Sequence, residues 1–142
     1  MLRTSTVAAL MALLAGAAGA QTAPDALLDA LPSADTLPEG VVQLSPTVPG
    51  MGEHWGNPAD MPLGPIYCVH EGRIVCLEFM IEQTAFAEGQ SWPELAGMDG
   101  LPPVDHVNIG FEAAGHEGFE VPHYDIHLYF LPPEEMAKVQ PE

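Results

Sequence analysis

Hydrophobic patterning divides the chain into four stretches of different character. An unbroken apolar run from Val7 to Ala20 follows Arg3 and ends in Ala18-Gly19-Ala20. It reads as a secretory signal peptide over residues 1–20, cleaved after Ala20, because about fourteen apolar residues fall short of the roughly twenty that cross a bilayer. A periplasmic or secreted protein with no membrane span after cleavage is the expectation. Residues 21–46 carry Pro24, Pro32, Pro38 and Pro46 among Ala, Asp and Leu. Prolines at that frequency interrupt helix, so a disordered tether is predicted, with one or two helical turns over 25–31 at most. Residues 47–132 hold short runs of aromatic and β-branched residues between turn signals, and residues 133–142 form a C-terminal tail that opens as a short helical cap. The central pattern predicts a mainly β domain: a small antiparallel sheet curled into a barrel or sandwich, with short helical turns at the periphery. Its expected strands are 65–70 and 73–81, joined as a hairpin, then 105–111 and 123–130.

The last strand is the most informative. In His123-Tyr124-Asp125-Ile126-His127-Leu128-Tyr129-Phe130 the side chains alternate, so Tyr124, Ile126, Leu128 and Phe130 share one face while His123, Asp125, His127 and Tyr129 share the other. The preceding strand divides in the same way, Val107, Ile109 and Phe111 against His106, Asn108 and Gly110. With both apolar faces on the core, an antiparallel pair must match positions whose numbers sum to an odd value, for instance His106 with His127, Asn108 with Asp125 and Gly110 with His123.

That register gathers candidate metal ligands: His106, His123, Asp125 and His127, with His116 brought in by the flexible loop Gly115-His116-Glu117-Gly118. Imidazole and carboxylate suit a divalent transition metal such as zinc, copper or iron. Positions i and i+4 on a strand lie about 13 Å apart, so His123 and His127 need different ions unless the strand bulges. A structural His–Asp hydrogen-bond network and an idle solvated face remain as alternatives. Secondary candidates are His54, in Gly50-Met51-Gly52-Glu53-His54-Trp55, together with Glu117 and Glu78. Glu78 is the only charge in Ile74–Ile81, and it is read as solvated in preference to buried with a partner.

Cys68 and Cys76 flank the hairpin turn. Export would favour a disulfide. A two-residue loop pairing Val69 with Ile74 puts the sulfurs on opposite faces, whereas a three-residue loop closing His70 on Ile74 sets Cys68 opposite Cys76. Buried thiols are the other reading.

Charge then removes whole classes of function. Lys+Arg total 3 against 20 for Asp+Glu, a net charge of -17, which repels nucleic-acid phosphates and anionic lipid. The hydrophobic share of 47% argues against wholesale disorder. No Gly-x-Ser-x-Gly elbow, phosphate loop or dinucleotide fingerprint occurs, so no catalytic residue is assigned.

The segments Val104-Asp105-His106, Gly115-His116-Glu117 and Val121-Pro122-His123-Tyr124-Asp125-Ile126-His127-Leu128-Tyr129 resemble the C-terminal signature of the TTHB-like family, exported bacterial proteins with a domain of unknown function whose namesake is a thermophile protein. Met51-Gly52-Glu53-His54-Trp55, Gly64-Pro65-Ile66-Tyr67 and Glu78-Phe79-Met80-Ile81 are similar to the same pattern. The resemblance spans residues 48–131 and implies export, a compact β-rich domain and a homo-oligomer, without implying a reaction; the two cysteines depart from it. The expectation from residues and resemblance together is an exported binding or envelope-stress protein that holds a metal ion or small ligand on its His/Asp face. The alternatives are a small cupin-like metal-dependent enzyme, with Glu117 or Glu78 as general base, and a structural oligomer.

Overall fold

The computed structural model describes residues 24–141; the expected signal peptide lies outside the described residues. Six strands form one antiparallel sheet: β1 (Val42–Val48), β2 (Gly52–Gly56), β3 (Ile66–His70), β4 (Arg73–Glu82), β5 (His106–Glu112) and β6 (His123–Tyr129), in the order β1-β2-β3-β4-β6-β5. Three short helices, α1 (Pro24–Asp29), α2 (Gln83–Ala87) and α3 (Pro133–Met136), stand at its periphery. The sheet does not close into a barrel. It curls, because side chains from all six strands, among them Ser45, His54, Ile66, Glu78, Glu112 and Asp125, line one cavity of about 650 Å³ on the same face.

The β3–β4 hairpin resolves the cysteine geometry by combining the two loops considered from the sequence. Glu71 and Gly72 both adopt positive φ, 48° and 72°, as a two-residue turn matched to strand twist requires. His70 therefore pairs with Arg73 and Val69 with Ile74. A bulge at Val75 then shifts the register by one, so that Cys68 faces Cys76 with their Cα atoms 4.9 Å apart, and the two form a disulfide.

The tether boundary expected at residue 46 falls inside β1. Pro46 is tolerated there because β1 is an edge strand, bulged on both sides of Ser45, which need not supply every ladder donor. Further upstream, Leu31 is buried in the main core, the Ile74 amide donates to the Pro32 carbonyl, and Arg73 donates to the Leu31 carbonyl. The tail is likewise packed, with Met136 and Val139 buried in the same core. That core lies over Tyr67, Leu77 and Phe79, while a smaller cluster of Ile66, Met80 and Phe119 sits on the cavity side.

The faces of β5 and β6 are inverted relative to expectation. His123, Asp125, His127 and Tyr129 are buried, whereas Val107, Ile109 and Phe111 are exposed, Ile109 to 63%. The sheet curls towards its polar face, so that side lines the interior, and the apolar face at the β5 edge is left uncovered. The odd-sum rule holds, but the pairing is shifted by two residues: His106 faces Tyr129, Asn108 faces His127, Gly110 faces Asp125 and Glu112 faces His123.

Candidate metal centres

Two groups of ligand-type side chains rise from the concave face. The first joins His54 of β2, Glu78 of β4 and His127 of β6. Glu78 stands directly opposite His127, and the curl carries His54 across β3 to reach it. His54 Nε2 lies 3.3 Å from Glu78 Oε2, and His127 Nε2 lies 3.4 Å from Glu78 Oε1. Glu78 is 4% exposed, so the reading of it as a solvated charge is corrected: curvature encloses it and two imidazoles accompany it.

The second group joins His116, on the turn between β5 and β6, to His123 and Asp125 of β6. His123 Nε2 is 3.0 Å from Asp125 Oδ1 and 3.2 Å from His116 Nε2, and His116 Nε2 is 3.9 Å from Asp125 Oδ2. His123 is fully buried, while His116 is exposed.

The protons of these rings can be assigned from their outer partners. Ser45 Oγ donates to the Pro46 carbonyl at 3.0 Å, so the partner it accepts from at 2.8 Å is His54 Nδ1–H. The Val121 carbonyl lies 2.6 Å from His123 Nδ1 and the Glu117 carbonyl 3.1 Å from His116 Nδ1; a carbonyl only accepts, so each Nδ1 carries the hydrogen. In the neutral rings Nε2 is then a bare lone pair, turned towards carboxylate oxygen in both groups. Backbone or hydroxyl partners that fix the tautomer in this way are the usual outer shell of metal-binding histidines.

Spacing and satisfaction agree with that chemistry. Bonds of about 2.0–2.1 Å to a four-coordinate ion place neighbouring donors about 3.3–3.4 Å apart, close to the separations found around Glu78. Four buried atoms among the described residues lack a hydrogen-bond partner, His54 Nε2, Asp125 Oδ1 and both ring nitrogens of His127, and all belong to the two groups. Burial holds the His54 imidazole below its usual pKa, against the pull of Glu78. At Glu78, burial pushes the carboxyl up, but contact with His127 and the nearby His54 and His116 prevail and bring it below the ordinary range. Burial, reinforced by Glu78, raises Asp125.

Not every residue expected from the sequence joins a group. The two-residue register shift takes His106 away; its Nδ1 is 2.9 Å from Asp105 Oδ1 and its ring stacks on Tyr129. Glu117 lines the cavity without entering either group, as does Glu112. His123 and His127 fall in separate groups, in keeping with their spacing along the strand. Trp55 points away from His54 and donates to Glu53 Oε2 at 2.9 Å. A separate hollow of about 780 Å³ beside Leu28, Val69 and Val139 gathers no such group.

No protein-family model matches the chain, and no curated protein matches it. A solved structure does. The chain is similar to the hypothetical protein TTHB210 from Thermus thermophilus, at 25% identity and a TM-score of 0.59, over 73% of this chain and 96% of that one. This fits the TTHB-like resemblance and the β-rich fold. Among the described residues no helix is long and apolar enough to cross a membrane.

Proposed function

We propose that this protein is an exported, acidic metal-binding protein whose principal centre is His54, Glu78 and His127. The observation that carries the proposal is the convergence of buried polar atoms without hydrogen-bond partners. A purely structural His–carboxylate network needs a hydrogen between each nitrogen and oxygen, yet His54 Nε2 already faces Glu78 as a lone pair and both His127 nitrogens lack a hydrogen-bond partner. Two imidazoles and a carboxylate suit zinc, copper or iron in preference to magnesium or calcium. Three protein donors would leave a further position on a four-coordinate ion, beside a cavity that Leu44, Met51, Met61 and Met80 make largely apolar. That position favours a small ligand bound through the metal, and it sustains the enzyme reading as second choice, with Glu112 and Glu117 on the cavity wall as the available bases.

The test is metal analysis of the full chain made without a histidine tag and purified from its own compartment. A stoichiometric transition metal, one equivalent of which is lost in His54→Ala, is the expected result; protein that neither carries nor takes up zinc, copper or iron would falsify the proposal. We further infer self-association through the edge strand β5, where Val107, Ile109 and Phe111 form an uncovered apolar row beside unpaired backbone groups; the occupant that continues such a row is a second copy of β5.

A further inference from the structure

We propose that His116, His123 and Asp125 form a second, separate metal centre, and that an ion there latches the β5–β6 turn against the cavity. With both rings neutral, three acceptors meet at this point with no donor among them. The hydrogens of His116 and His123 are committed at Nδ1 to the Glu117 and Val121 carbonyls, which leaves two Nε2 lone pairs 3.2 Å apart and Asp125 Oδ1 3.0 Å from one of them. Lone pairs held that close repel unless a proton or a metal ion lies between them. Asp125 Oδ1 is buried and without a hydrogen-bond partner, which is an independent sign that a cation belongs there.

The two centres differ in how they are built. His54, Glu78 and His127 all come from strands, so their geometry is set by the sheet. In the second centre, His123 and Asp125 are fixed on β6, but His116 arrives on the turn that begins at Gly115, where a Cβ would run into the Phe119 carbonyl. The turn is closed by reciprocal bonds between His116 and Phe119, 3.2 Å and 3.0 Å, and anchored by the Phe119 ring, whose centroid is 4.4 Å from that of His123. His116, Glu117 and Gly118 form part of the cavity wall. An ion bridging His116 to β6 would hold that wall shut, and the exposure of His116 would let the ion exchange with solvent while the buried centre keeps its own.

The experiment uses the full chain, untagged, stripped with a chelator and titrated with zinc against excess magnesium, which occupies surface carboxylates. Native mass spectrometry counts bound zinc and hydrogen exchange follows amides 115–119. We expect two ions per chain, one in His116→Ala and one in His54→Ala; zinc should slow exchange in the turn at least tenfold in the parent and in His54→Ala but not in His116→Ala. His116 is exposed, so its replacement leaves the packing intact, and Asp125→Asn, which keeps volume and removes charge, should behave as His116→Ala does. Two ions retained in His116→Ala, or turn exchange that ignores zinc, overturns the latch. One ion that His54→Ala removes and His116→Ala spares overturns the second centre alone, whereas the reverse pattern overturns the principal centre and leaves this one standing.

Discussion

The two faces of β6 have exchanged their ordinary roles. On one, His123, Asp125 and His127 are buried; on the other, Ile126 and Leu128 are only half-buried, and their neighbours on β5 stand in solvent. Burying imidazoles and carboxylates costs free energy that a folded chain recovers only through partners, and exposing Ile109 forgoes a gain it could have had. Both departures lie at the same end of one sheet. The polar face holds buried polar atoms without hydrogen-bond partners, and the apolar face holds large side chains left in solvent. α2 covers part of the second, where Phe86 packs edge-on against Tyr124, but leaves the β5 row open. Polarity reversed on both sides of one strand is what the two proposals rest on: an ion inside and a second copy of the chain outside.

The largest expected effect comes from the polar face. Made in the His116→Ala background so that the principal centre alone is read, Glu78→Gln keeps the shape but removes the charge shared by two imidazoles, and should weaken zinc binding by about 100-fold, read by competition with a chromophoric chelator. Unchanged affinity would mean that His54, Glu78 and His127 form a network complete in itself. Next comes the disulfide, which lies on the same face in the row His54, Cys68, Cys76, Tyr129 across β2, β3, β4 and β6. Replacing both cysteines with Ala should cost about 2–3 kcal/mol in urea unfolding for so short a loop; a negligible loss would leave strand pairing alone to hold that row.

A smaller effect is expected from pH in the metal-free protein. The His54 pKa is lowered by burial, so the unfolded chain takes up that proton first. His54 therefore supports the fold above about pH 6.5, and that support is lost as pH falls below it. Urea midpoints at pH 7.5 and 5.5 should differ less in His54→Gln than in the parent; an equal difference would show that burial of this ring is not what the fold resists. The smallest effect belongs to the apolar face. Ile109→Lys should change stability by no more than about 0.5 kcal/mol and leave zinc binding alone, while shifting sedimentation towards the monomer. A sedimentation profile identical to the parent's would remove β5 as a contact between copies.

Much of the site was legible one strand at a time. Alternation in 123–130 separated the faces correctly and kept His123, Asp125 and His127 on one face whatever the register. Which face turns inward was not legible, because it depends on the curl of all six strands and no single strand encodes it. The same blindness misplaced His106 by two positions and ranked His54 and Glu78 behind it, although a lone charge in Ile74–Ile81 was a real sign. The prolines of 21–46 concealed β1, since an edge strand tolerates what an interior strand would not. The spacing of Leu27, Leu28 and Leu31 was the cue that this stretch packs against the domain.

The ladder of backbone bonds sets the distance between neighbouring strands but leaves the bend of the whole sheet soft. His54, Glu78 and His127 sit on β2, β4 and β6, and β4 and β6 are neighbours while β3 is stepped over. An ion gripped by all three would act as a tie-rod, converting a flexible arc into one of fixed radius. Anything that loads or unloads that ion would then tighten or relax the whole arc, including the outer rim at β5, which supplies no member of either group.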